Sequence, residues 1–74
     1  MHTYSIVVDP DGQRGFTVTV PSLPGCITQG DTIEQCLEHA EEAVTLYLEE
    51  LKATGSAVPD ETEAPQLLSV TVAA

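Results

Sequence analysis

The sequence has little of what a nucleic-acid or membrane partner would require. Of its 74 residues only Arg14 and Lys52 are basic, against 12 acidic residues, and the formal net charge is −10. Phosphate binding needs Lys and Arg to displace counterions, so we expect neither direct nucleic-acid binding nor an anionic membrane as partner. No apolar run approaches the ~18 residues of a membrane span. No basic and apolar leader is visible at the start, so we expect no signal peptide and a cytoplasmic protein.

Cysteine and histidine are equally scarce. The sequence has Cys26 and Cys36, His2 and His39, and no CxxC or HxxxH spacing links them. We therefore expect no metal, no other cofactor and no enzyme, since phosphate-binding glycine motifs are missing too. One disulfide is arithmetically possible, but buried thiols are the expectation. His39 is expected to be exposed, which argues against its acting as the base for a Cys26 nucleophile.

Three short strands are predicted in the first thirty residues. In residues 4–8 the side chains of Tyr4, Ile6 and Val8 would share one face of a strand, and in residues 15–20 Phe16, Val18 and Val20 alternate with threonines. The Asp-Pro-Asp-Gly of residues 9–12 is typical of a turn. These two stretches therefore form a hairpin, and residues 26–29 a short third strand.

A long amphipathic helix is predicted next. Apolar residues recur at three- and four-residue spacing from residue 33 to residue 51. Asp31 or Thr32 is the predicted N-cap, with Gln35 completing a capping box. Gly55 is placed to end the helix as its C′ residue.

A linker and a fourth strand complete the predicted order. Residues 56–66 contain two prolines and three acids, and residues 67–72 again alternate apolar with polar. The prediction is one α+β domain over residues 1–74 with the order β-β-β-α-β. A small sheet carries one long helix on one face.

The acidity is concentrated in the helix and the linker. Residues 31–63 hold ten of the acids and one Lys, whereas residues 64–74 hold no charge. A solvated helix face is the simpler interpretation, and an electrostatic surface for a basic protein is the alternative. The acidic residues that could face such a partner are Glu34, Glu38, Glu41, Glu42 and Glu49.

Two turns and a helix cap in fixed order make the sequence resemble a known family. The PSLPGC of residues 21–26, the GDTIEQCL of residues 30–37 and the EEAV of residues 41–44 are similar to HicB, the antitoxin of the HicA–HicB type II pair. The resemblance covers roughly residues 3–72. The role we expect for its motif residues is structural, with partner contact as the alternative; they are Pro21, Leu23, Pro24, Gly25, Cys26, Gly30, Asp31 and Thr32.

The resemblance implies a partial RNase H-like fold without nuclease activity and a homo-oligomer, either dimer or tetramer. It also implies a partner, the small basic toxin HicA, which cleaves mRNA and whose active face the antitoxin covers. Longer members add a C-terminal DNA-binding module, and we expect this chain to be a stand-alone domain without it. Two hypotheses stay open: an antitoxin that neutralises a basic toxin, and an orphan self-associating protein with neither toxin partner nor catalytic activity. A small hydrolase is a weaker third.

Overall fold

The structure, a computed structural model, describes residues Met1–Ala74. Three antiparallel strands, β1 (Val7–Pro10), β2 (Phe16–Thr19) and β3 (Ile27–Gly30), lie in that order in one sheet. They are followed by one long helix, α1 (Ile33–Ala53). The predicted α+β class and the β-β-β-α order are confirmed, and the RNase H-like relationship stays a prediction.

The hairpin of β1 and β2 is closed by an aspartate turn. The Asp11 carboxylate accepts hydrogen bonds from the backbone N–H groups of Gln13 at 2.7 Å and Gly15 at 3.1 Å. The Asp11 N–H donates to the Gly15 carbonyl at 3.0 Å. This local bonding holds the loop, as expected of Asp in turns, and Val8 then lies opposite Val18 across the two strands.

The turn before β3 places a core residue at each of its ends. The Cys26 N–H donates to the Leu23 carbonyl at 3.0 Å, and Gly25 has a φ of 82°. Pro24 before a glycine with positive φ is the arrangement of a type II turn. Leu23 and Cys26 are buried and pack with Val20 in one core cluster.

The helix begins at the predicted cap. The Thr32 hydroxyl accepts from the Gln35 N–H at 3.1 Å. The Gln35 side chain reaches back to the Asp31 N–H at 2.9 Å, one residue before the capping box would place it. The first bond satisfies a backbone donor that the first helical turn leaves open, and the second holds the residue before the cap against the helix.

The helix also ends at the predicted glycine. Gly55 has a φ of 71°, and its N–H donates to the Lys52 carbonyl at 3.2 Å. The Ser56 N–H donates to the Leu51 carbonyl at 2.8 Å. This pair of bonds around a left-handed glycine is the Schellman motif.

The core is small and off-centre. Eight of the 74 residues are buried; six of them form two clusters of three with the partly buried side chains around them, and the other two are Gly15 and Gly30. The helix packs mainly against β3 and less against β2. The helix-facing side of β1 is therefore the least covered part of the sheet.

The predicted fourth strand is not formed. Residues 67–72 make no backbone hydrogen bond, and Leu67, Leu68, Val70 and Val72 are 96, 80, 86 and 75% exposed. Alternation shows which side chains a strand would bury, but it does not name the edge with which the strand pairs. In the structure these residues pair with no strand of the sheet.

Candidate functional site

The outward side of α1 carries a row of carboxylates, which we call the acidic face. All five acids predicted for it are exposed; they are Glu34, Glu38, Glu41, Glu42 and Glu49. The one contact between a basic side chain and a carboxylate joins His2 Nδ1 to Asp60 Oδ1 at 3.5 Å. No basic side chain of this chain therefore pairs with the acidic face.

An exposed apolar side chain lies beside the middle of the acidic face. Glu38, Glu41 and Glu42 share an open, shallow stretch of the outward surface of α1 with Thr45 and Leu46. Leu46 is 66% exposed. Protein interfaces commonly combine apolar contact with charged residues, and the charges steer the partner and fix its orientation.

The family-motif residues divide into a buried and an exposed set. Leu23, Cys26 and Gly30 are buried, whereas the others are exposed. The exposed turn is tied to the helix, because the Tyr47 hydroxyl donates to the Pro24 carbonyl at 2.8 Å. This contact agrees with a structural role, and a role in partner contact stays a prediction.

Gly30 lies where β3 meets the helix. A Cβ at this position would lie 2.8 Å from the backbone nitrogen of Cys36 and 3.0 Å from its Sγ. Cys36 is itself fully buried. The close approach of β3 and the first helical turn therefore requires glycine at position 30.

His39 differs from its prediction. It is half-buried rather than exposed, and its Nδ1 lies at hydrogen-bond distance from the Gln29 carbonyl. Because a carbonyl only accepts, Nδ1 carries the proton and donates. The prediction was wrong because helix periodicity ignores the strand beside the helix, and this bond joins α1 to the end of the sheet.

Cys26 and Cys36 are both buried free thiols. Burial raises the pKa of the Cys26 thiol, which reduces the thiolate that a nucleophile needs. The two thiols belong to different core clusters.

No three His, Cys, Asp or Glu side chains come together as a metal site. None of the structure's helices has the length and apolar character of a membrane span.

Glu61 is a residue that sequence reasoning missed. Its carboxylate accepts from the Ser5 N–H at 2.9 and 3.1 Å, from the Ser5 hydroxyl at 2.7 Å and from the Ser22 hydroxyl at 2.9 Å. Nearby, the Tyr4 hydroxyl donates to the Pro59 carbonyl. These partners are distant in sequence, so no local pattern marks them. Together they fasten the linker to the start of the sheet.

This anchoring predicts a pH dependence. The hydrogen bonds from Ser5, and then from Ser22, lower the pKa of Glu61 from its ordinary 4.5. A carboxyl with a lowered folded-state pKa contributes stability that is fully present above the unfolded pKa and is lost as pH falls through the folded value. As the pH is lowered below 4.5, we expect the urea midpoint of the wild type to decrease more steeply than that of Glu61→Gln. Glu63→Gln in the same linker is the control; equal profiles for all three proteins would contradict the anchoring role.

The comparisons with known proteins identify the family. The structure defines a small α+β domain with a charged outer helix face. Residues 4–71 match the family model of the HicB-like antitoxin of bacterial toxin–antitoxin systems. The chain belongs to this HicB-like antitoxin family.

Its relatives include short proteins and longer ones. A UPF0150 protein of Thermoplasma acidophilum is 38% identical over 56 residues, which are 76% of this chain and 81% of the relative. A UPF0150 protein of Synechocystis is 33% identical over 72 residues, 97% of this chain and 91% of the relative. Antitoxin HicB 1 of Photorhabdus laumondii is 37% identical over 46 residues, 62% of this chain but 30% of the relative. No solved structure matches the chain.

Proposed function

We propose that this chain is an antitoxin-type binding module that neutralises a basic HicA-type toxin through the acidic face of α1. The observation that carries the proposal is this row of exposed carboxylates, none of which pairs with a cation of its own chain. Membership of an antitoxin family supports the proposal by supplying the class of partner.

Electrostatics supply the mechanism. A net charge of −10, most of it on one helix and its linker, attracts a basic protein and raises the rate of encounter, commonly by 10–10³-fold. Once the partner is docked, Leu46 offers apolar contact beside the carboxylates. The partner's own basic residues would replace the counterions that the acidic face holds in the free protein.

The proposal includes the setting in which the module works. Residues 1–74 act as one domain without catalytic activity and without direct contact to nucleic acid. Because the expected partner cleaves mRNA, the module works in the cytoplasm. It forms a homo-oligomer, a dimer or a tetramer. Its family-motif residues hold the turn before β3 and the start of the helix in place.

Removing charge from the acidic face tests the proposal. We expect the triple variant Glu38→Gln, Glu41→Gln, Glu42→Gln to lose at least about tenfold in affinity for the basic product of a neighbouring gene, since buried charge pairs at interfaces contribute more than that. Co-purification after co-expression, at low and high salt, measures the effect.

A matched control separates the acidic face from net charge. Asp9→Asn, Glu50→Gln and Glu63→Gln remove the same charge from other exposed positions and are expected to keep the complex. Equal loss in both variants would contradict a specific surface. If no complex forms with any basic neighbour at low salt, the orphan self-associating protein becomes the better account.

A further inference from the structure

An apolar groove separates α1 from the residues that lead into β1. Its volume is about 380 Å³, and it exists because the helix packs mainly over β3 and less over β2. Most of its lining is apolar or aromatic, contributed by Tyr4, Ile6, Leu37, Ala40, Val44 and Leu48. A concave apolar surface of this kind is a common place for a partner to bind.

The exposure of Leu37 shows that the chain itself does not cover the groove. Leu37 belongs to the apolar stripe of α1, yet it is 56% exposed. No residue beyond Leu48 lines the groove. The apolar side chains at the end of the chain, Leu68, Val70 and Val72, are 75–86% exposed and therefore leave the groove open.

The groove is continuous with the acidic face. Glu41 and Thr45 line the groove and also belong to the open stretch of α1 beside Leu46. Glu38 precedes Glu41 by three residues and so lies next to it along the helix surface. A partner that lies in the groove therefore meets carboxylates along one side, and these carboxylates favour Lys or Arg over Asp or Glu.

The shape of the groove favours a helix over a strand. Leu37 and Leu48 are eleven residues apart in one helix, which corresponds to about 16 Å, or three helical turns. An amphipathic helix of similar length presents an apolar stripe of matching spacing and carries its charged residues on the flanks. A strand would need a sheet edge, and residues 65–67 of the chain already lie beside residues 5–9 at the β1 edge.

We propose that this groove takes an amphipathic helix of the basic partner, its apolar side chains against Leu37, Val44 and Leu48 and its Lys or Arg side chains against Glu38 and Glu41. The inference rests on the proposed function and adds the apolar half of the same binding site. Exposed charge pairs contribute little to affinity, whereas a few well-packed, desolvated contacts carry most of it. The acidic face would attract the partner, and the groove would hold it.

Leu37→Ser and Ile27→Ser form a matched pair that tests the groove. The two side chains have the same size and similar exposure, 56 and 61%, but Ile27 lies opposite Thr19 on the face of the sheet away from α1. We expect Leu37→Ser to lose at least about tenfold in affinity for the basic neighbouring gene product, and Ile27→Ser to bind like the wild type. Calorimetric titration measures both affinities, and circular dichroism checks that both variants are folded.

This pair also separates the groove from the proposed function. If the Glu38, Glu41, Glu42 triple variant loses affinity but Leu37→Ser does not, the acidic face binds the partner and the groove inference is overturned. If the wild type forms no complex at low salt, the proposed function is contradicted and the inference loses its partner with it.

Other occupants of the groove would give different results. Protection of residues 68–72 from amide hydrogen exchange in the free chain would show that the chain's own last segment fills the groove. A lower oligomer mass for Leu37→Ser, with unchanged affinity for the toxin, would place a second copy of the chain there. Either result would overturn the proposal.

A pair of synthetic peptides tests for a helix with the wild-type chain itself. Both peptides consist of about 15 Leu and Lys residues, which span about 22 Å as a helix. One has its leucines at i, i+3, i+4 and i+7, and the other has the same composition with the leucines spread around the helix. We expect the first to bind at least about tenfold more tightly and Leu37→Ser to remove this difference. Equal binding of the two peptides to the wild type would overturn the proposal.

Discussion

Leu23→Ala is expected to lower the free energy of unfolding by about 2–5 kcal/mol, the usual cost of emptying a fully buried leucine site. Leu23 is 0% exposed and is the largest of the fully buried side chains. A domain of this size has on the order of 4–11 kcal/mol to lose. Because eight residues make up the buried set, few neighbours can move to fill the space.

Urea unfolding followed by circular dichroism measures this effect. Leu46→Ala is the matched control, since Leu46 is 66% exposed, and it is expected to change stability by less than about 0.5 kcal/mol. An equally small change in the free energy of unfolding for Leu23→Ala would contradict our conclusion that the turn before β3 is part of the core.

Gly30→Ala is expected to destabilise the domain by about 1–3 kcal/mol, the range for overpacking. The new Cβ would lie 2.8 Å from the backbone nitrogen of Cys36 and 3.2 Å from its Cα. Backbone atoms cannot rotate away as a side chain does, so the start of the helix must move from β3. Unfolding in urea gives the cost.

Two further variants separate this clash from other causes. The double variant Cys36→Ala, Gly30→Ala lacks the Sγ atom but keeps the backbone nitrogen of residue 36. We therefore expect it to regain only part of the stability that Gly30→Ala loses. Gly25→Asn changes a glycine with positive φ and open space around it, and Asn tolerates that backbone conformation, so a small effect is expected. Full recovery in the double variant would show that the sulfur, and not the backbone, limits the approach.

Local signals predicted those parts of the fold that short-range bonds determine. The cap at Thr32 and the stop at Gly55 depend on hydrogen bonds within a few residues. The turn before β3, from Leu23 to Cys26, depends on the adjacent residues Pro24 and Gly25. Each of these is a case in which the residue type and the backbone conformation are directly linked.

Contacts between distant residues were not predictable in the same way. The bonds of Glu61 to Ser5 and Ser22 span 56 and 39 residues, and an acidic linker gives no sign of them. His39 lies against Gln29 of β3, which helix periodicity does not include. The alternation in residues 67–72 predicted a strand, but a strand also needs a pairing edge, and these residues make no backbone hydrogen bond.

The candidate site was partly predictable because charge usually stays exposed. Summing charge by segment located the acidic face on α1, and the structure shows its five glutamates exposed. The position of Leu46 beside three of these glutamates could be seen only in the three-dimensional structure, because a sum of charge by segment does not place apolar side chains. Neither the charge nor the fold identifies a partner; membership of an antitoxin family implies a toxin partner in general.

Calorimetric titration of the basic neighbouring gene product with this chain, at low and at high salt, tests the central claim most directly. The account predicts a complex that weakens as salt rises, because screening acts on exposed charges. The Glu38, Glu41, Glu42 triple variant should lose most of that affinity, and the charge-matched control should keep it. Absence of binding at low salt, or binding indifferent to both salt and the triple variant, would contradict the acidic face as the toxin-binding surface.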